Sequence, residues 1–166
     1  MSNPLPEAES LYRELLKQMR GRIHPDAAMV GIHTGGVWLA ERLHKDLDLQ
    51  HPLGQIDISF YRDDFEQSGL KTNTKRSNIP FDVSGRHILL VDDVLYTGRT
   101  VRGAMNELFD YGRPATISLV VLADRGGREL PIHAEYAAAK IEVPAGAMLV
   151  LDRDDTGKLS LKLDDA

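Results

Sequence analysis

An α/β fold on a mostly parallel sheet is the class this sequence predicts, and three observations predict it. Short apolar runs recur at residues 27–32, 87–91 and 116–123, the form of strands buried on both faces. The first two are each followed by a glycine-bearing turn and an amphipathic helical period, the repeating unit of a right-handed parallel sheet. Polar groups crowd directly after the runs, at His33-Thr34-Gly35-Gly36, Asp92-Asp93 and Asp124-Arg125, where open α/β sheets take their ligands.

In chain order, residues 5–19 place Leu11, Leu15 and Met19 on one helical face with Tyr12 and Leu16 beside it, an amphipathic opening helix. The strand at 27–32 leads through the glycine pair into a second helix marked by Val37, Leu39, Ala40, Leu43 and Leu47. Residues 54–61 alternate Ile56, Ile58 and Phe60 against polar neighbours, which predicts a half-buried strand. Residues 62–80 are polar and without period, a long loop of the kind that forms either a lid or a disordered tip. The run 87–91 ends at two carboxylates, and a third helix then follows, with Val101, Met105, Leu108 and Phe109 on its apolar side and Gly112 and Pro114 as its stop. After the strand at 116–123, short strands are predicted at 136–141, 148–151 and 158–163.

The 166 residues, 42% hydrophobic and 27% charged, suit a single globular domain spanning 1–166. A formal net charge of −5 argues against a generally basic nucleic-acid binder. The absence of cysteine removes disulfides, thiol catalysis and cysteine metal sites. Neither a signal peptide nor an apolar run near 18 residues is visible, so no membrane partner and a cytoplasmic location are expected. Neither GxGxxG nor GxxxxGK[ST] occurs, which disfavours dinucleotide and P-loop sites.

The chemistry concentrates in RHILLVDDVLYTGRTVRGAMNELFDYG, residues 86–112. A strand, a turn with Gly98 and a helix start together aim backbone N–H groups and a positive dipole end at one point, the setting for a phosphate. Thr97 and Thr100 can add hydroxyl donors, and Gly98 lets an anion approach the main chain. Asp92 and Asp93 then face whatever the phosphate carries, and suit ribose hydroxyls, a hydrated magnesium ion, or both.

The arrangement VDDVLYTGRT resembles the phosphoribosyl pyrophosphate motif of type I phosphoribosyltransferases. With GIHTGGVWLAERL, IDISFYRDD and VLADRGGRELPI in order over residues 30–133, the chain resembles the family of pyrimidine operon regulators and uracil phosphoribosyltransferases. The resemblance implies the type I phosphoribosyltransferase fold, a five-stranded parallel core with a small flexible hood. It also implies transfer from phosphoribosyl pyrophosphate to uracil, giving UMP and pyrophosphate with Mg2+ as cofactor. By that match Asp92 and Asp93 act as the catalytic pair on the ribose hydroxyls and the metal, and Val94, Leu95, Tyr96, Thr97, Gly98, Arg99 and Thr100 complete the ribose and 5′-phosphate seat. Thr34, Gly35 and Arg62 would serve pyrophosphate, Arg125 and Val143 the nucleotide base, and Lys71, Lys75 and Arg76 the lid. Tyr96 replaces an acid that faces the purine in purine-salvage relatives, which favours a pyrimidine.

One departure stands out. Many relatives read Thr-Arg-Gly in the pyrophosphate turn, whereas this chain reads Thr34-Gly35-Gly36. One cation is missing, so weaker transferase activity is expected, with His33, Arg62 or a lid lysine as compensation and Gly35→Arg as a gain. A sensor of phosphoribosyl pyrophosphate, UMP or UTP with little catalysis is the alternative, and a purine-type transferase a second. Family regulators bind messenger RNA of pyrimidine genes through clustered cations, for which Arg13, Lys17, Arg20, Arg22, Arg128 and Lys140 are candidates. A homodimer or homotetramer is expected.

Overall fold

In the computed structural model, which describes residues 4–58 and 77–165, the opening helix α1 is Ala8–Met19 and buries Leu11, Tyr12, Leu15, Leu16 and Met19 as its period requires. The fully buried strand β1 (Ala28–Ile32) feeds α2 (Gly35–Asp46), whose Val37, Leu39, Ala40 and Leu43 are buried. Next come β2 (Gly54–Ile56), β3 (His87–Leu95), α3 (Arg99–Tyr111), β4 (Thr116–Asp124), β5 (Tyr136–Lys140), β6 (Ala147–Arg153) and β7 (Leu159–Asp165).

Five strands form one sheet in the order β2-β1-β3-β4-β5, and every pairing in it is parallel. The chain runs from β1 outward to β2 and then returns to β3 on the other side of β1. The reversal of strand order between β1 and β3 opens a crevice at their carboxyl ends. Apolar side chains pack on both faces. One cluster joins α1, α2, Leu89, Val91 and Leu122 to the β6–β7 hairpin through Leu149, Leu151 and Leu159. The other joins α3 through Val101, Ala104 and Leu108 to Ile88, Leu90 and Val121. The fully buried parallel strands explain why their sequences read as unbroken apolar runs.

Several expectations are corrected. The strand predicted to stop at Val91 continues to Leu95, because β4 keeps pairing with it to Leu95↔Asp124 although β1 leaves it after Gly31↔Val91. Asp92 and Asp93 therefore lie within the strand's one-sided end rather than after it. Phe109 is 54% exposed, since the buried stripe of α3 runs through Val101, Ala104 and Leu108, and Phe109 lies a third of a turn outside it. The last two predicted strands stand outside the parallel sheet as an antiparallel hairpin. Within the predicted strand 54–61, residues 54–56 pair and Ile58 is buried, while residues 59–61 lie outside the described residues, as do the expected lid and pyrophosphate cations Arg62, Lys71, Lys75 and Arg76.

Candidate active site

Parallel pairing brings three turns to one edge of the sheet: 33–34 after β1, 96–98 after β3 and the segment 125–132 after β4. Asp92 is buried, at 6% exposure, and its Oδ1 accepts the N–H of Asp93 at 2.8 Å. Asp93 is half-buried, and its Oδ1 accepts the N–H of Val94 at 2.8 Å. Each acid is thus fixed by the backbone it sits on.

The second carboxylate oxygen of Asp93 lies against Gly35, the first residue of α2. A Cβ on Gly35 would collide with that oxygen and come within 2.8 Å of Asp93 Cγ. Glycine is needed here for the close approach, with no demand on its dihedral angles. An arginine at 35 would require the Asp93 carboxylate to shift as the new cation is added. The N-cap Thr34 makes no side-chain cap hydrogen bond and the first turn of α2 holds no acid of its own, so Asp93 supplies the negative charge at that helix end.

The phosphate turn is built differently. Gly98, the N-cap of α3, has φ 94° and ψ −4°, a left-handed conformation that favours glycine. Lacking a side chain it cannot cap, and of the first-turn donors the Arg99 N–H turns back to Thr97 Oγ1 at 3.2 Å. The carbonyl of Thr97 accepts N–H groups from Glu129 at 2.9 Å and Leu130 at 3.1 Å. Arg99 pairs with Glu129 at 2.8 Å, with both side chains more than half exposed, a contact of small energetic weight. Leu95 is a core side chain at 1% exposure and Val94 packs on the α1–α2 cluster, so at these two positions only the main chain faces the edge.

Tyr96 and Arg125 form a pair. The Arg125 guanidinium carbon lies 3.8 Å from the centre of the Tyr96 ring, and a Cβ on Gly127 would meet that ring at 2.5 Å. Arg125 also donates to the carbonyl of Ala147 at 3.2 Å, which ties the site to the β6 hairpin. Val143 packs against the α1–α2 cluster and lines a groove of about 700 Å³ with residues 4–6 and Leu163. Among the described residues, two buried side-chain polar atoms lack a hydrogen-bond partner, His33 Nδ1 and Arg125 Nε. Both residues belong to this edge, where a ligand or water could supply the missing partners. The other ring nitrogen of His33 is held by Gln55 Oε1 at 2.6 Å.

Sequence reasoning missed Gln55, Glu129 and the role of Arg128. Arg128, expected among RNA-binding cations, spends its guanidinium inside the protein, on Asp124 Oδ2 at 2.6 Å and the carbonyls of Tyr96 and Ile132. Burial opposes ionisation of Asp124, but the hydrogen bonds from Arg128 and the Gly126 amide outweigh it and hold its carboxyl below the ordinary range. The alternating charges of RGGRE were the available signal. Arg13, Lys17, Arg20, Arg22 and Lys140 are exposed, the first near Glu7 at 3.8 Å.

Paired acids, a helix start with glycine at its N-cap position and a second glycine turn share one sheet edge, the arrangement expected of a phosphoribosyltransferase. The phosphoribosyl transferase domain family matches residues 3–145. At the level of individual relatives, the chain is 46% identical over 160 residues to the bifunctional protein PyrR of Nitrosococcus oceani, covering 93% of this chain and 90% of that one. It is 53% identical over 155 residues to the bifunctional protein PyrR of Pseudomonas aeruginosa, with 93% and 85% covered. It belongs to the PyrR family. Among solved structures, the hypoxanthine phosphoribosyl transferase of Trypanosoma cruzi superposes with TM-score 0.66 at 21% identity over 96% of this chain and 91% of that one, and shares the fold. Among the described residues, no helix is long and apolar enough to cross a membrane.

Proposed function

We propose that this protein transfers the phosphoribosyl group of phosphoribosyl pyrophosphate to uracil, releasing pyrophosphate and giving UMP, and that it also regulates pyrimidine biosynthetic genes through messenger RNA. One observation carries the enzymatic reading: Asp92 and Asp93 stand between two helix starts, with α2 on one side and the Thr97–Thr100 turn on the other. A phosphorylated sugar laid between them meets amides at its 5′-phosphate, carboxylates at its 2′- and 3′-hydroxyls and the α2 terminus at its pyrophosphate. The bifunctional name of the relatives supports the regulatory half.

In the reaction the bond from the anomeric carbon to pyrophosphate breaks and the bond to uracil N1 forms, through an oxocarbenium-like sugar, while the N1 proton passes to the departing pyrophosphate or to water. Charge accumulates on the leaving group, so its neutralisation sets the rate. The donor set fits magnesium: Asp93 is half-exposed and lies at the pyrophosphate turn, where two anions would otherwise repel each other. Among the described residues no three acidic or histidine side chains cluster as a cage, so the ligand's own oxygens would complete the coordination. Magnesium bound there supplies charge neutralisation of the departing pyrophosphate. Thr34 and Gly35 offer their main chain to that group, with His33 fixed beside them by Gln55. The Tyr96–Arg125 stack presents a flat polar surface toward the base.

Incubating purified protein with labelled uracil, phosphoribosyl pyrophosphate and magnesium should yield labelled UMP. No product, with UMP still bound in an equilibrium titration, would replace this reading with a non-catalytic nucleotide sensor. Light scattering with and without UMP tests the expected homodimer or homotetramer.

A further inference from the structure

We infer that Arg128 is a positioning residue, a clamp that holds the phosphate turn in its receiving geometry from the side away from the ligand. This rests on the reading of residues 97–100 as the 5′-phosphate seat. The guanidinium donates through Nε to the carbonyl of Ile132 at 2.8 Å, and through its two terminal nitrogens to the carbonyl of Tyr96 at 2.9 Å and Asp124 Oδ2 at 2.6 Å. Asp124 closes β4, Tyr96 opens the turn, and Ile132 lies on the segment returning toward β5. One side chain therefore joins the end of β4, the turn after β3 and the segment leading to β5.

The same segment clasps the turn twice more. The amides of Glu129 and Leu130 both donate to the carbonyl of Thr97, and the Ile132 side chain fills the space beside Gly98, where an added Cβ would come within 3.0 Å. The anchored segment thus fixes the orientation of Thr97 and Gly98, and with it the direction of the amides at the start of α3. Rigid presentation of those amides lowers the entropy cost of ordering them around an anion. The side chain is only about one-quarter exposed, and its charge is paired with Asp124. A lysine keeps the charge but cannot span three acceptors with the planar fork of a guanidinium.

The test is a set of equilibrium titrations with UMP and with uridine on the whole protein, comparing wild type, Arg128→Ala, Arg128→Lys and Thr100→Val. Both Arg128 variants should lose about tenfold or more in UMP affinity while uridine affinity stays within about twofold, as expected when the phosphate contacts alone are misdirected. Millimolar guanidinium should restore part of the UMP affinity of Arg128→Ala. Wild-type UMP affinity in Arg128→Lys would overturn the clamp in favour of simple charge, and equal losses for UMP and uridine would reduce it to general structural support. The Thr100→Val variant separates the two levels. If it loses UMP affinity while the Arg128 variants do not, the clamp alone fails; if it binds UMP as wild type does, the phosphate seat itself falls and the clamp with it.

Discussion

Replacing Gly35 by alanine puts a methyl carbon into space held by the Asp93 carboxylate, on which the Val94 N–H also depends. Overpacking of this kind costs about 1–3 kcal/mol. Displacing Asp93 would also forfeit a hydrogen bond worth about 1 kcal/mol. Against this, alanine at a compatible helical position gains about 0.4–1 kcal/mol by restricting the unfolded chain. The net expectation is a loss of roughly 1–3 kcal/mol, seen as a fall of about 2–10 °C in the thermal midpoint of a chain this size. Steric conflict has a signature that a general defect lacks. In an Asp93→Ala background the carboxylate is gone and only the Cβ remains, 3.1 Å from the added carbon, so Gly35→Ala should cost far less than in the wild type. Urea unfolding of the four proteins followed by circular dichroism gives the coupling energy, expected at about 1–3 kcal/mol. A cycle additive within about 0.5 kcal/mol would refute the contact as the reason for glycine.

Asp92→Asn and Asp93→Asn should each lower UMP formation by at least about 10²-fold with an unchanged circular dichroism spectrum; wild-type rates in the double variant would remove both from the reaction. Hypoxanthine or guanine in place of uracil should react at least about 10²-fold more slowly, and Tyr96→Ala, which takes away the surface beneath Arg125, should weaken UMP binding by about 2–30-fold. The Arg42 guanidinium, 2.7 Å away, holds the Glu9 carboxyl below its ordinary value of 4.5. A depressed folded-state pKa gives stability that is complete above the unfolded value and lost as pH falls through the folded one. Glu9→Gln should accordingly flatten the acid side of the stability profile below about pH 4.5, measured by urea unfolding across pH; an unaltered acid limb would deny Glu9 that role.

The parallel core was legible because strands buried on both faces must be apolar at every position, as residues 28–32 and 88–91 are. The phosphate turn was legible because Asp92, Asp93, Thr97, Gly98 and Thr100 are local in sequence, and a strand–turn–helix unit fixes their mutual placement. What lay hidden depends on partners brought by the register. Gly35 and Asp93 are 58 positions apart in numbering, and only the pairing of β1 with β3 sets one against the other. The extension of β3 to Leu95 likewise depends on β4, and nothing within 87–95 announces it. Arg128 looked like one surface cation among several, since sequence cannot say which carbonyls a guanidinium will reach. Phe109 shows the reverse error, a bulky apolar residue near the helical period that lies just outside the buried stripe of α3.

Glu9 Oε2 accepts from both Arg42 and the amide of Leu159, so a single carboxylate joins the opening helix, the second helix and the closing hairpin across 150 positions of chain. Such a junction predicts that the opening helix and the β6–β7 hairpin open together in native-state hydrogen exchange, although they are made far apart in time. The first helix then waits for nearly the whole chain before its last partner arrives.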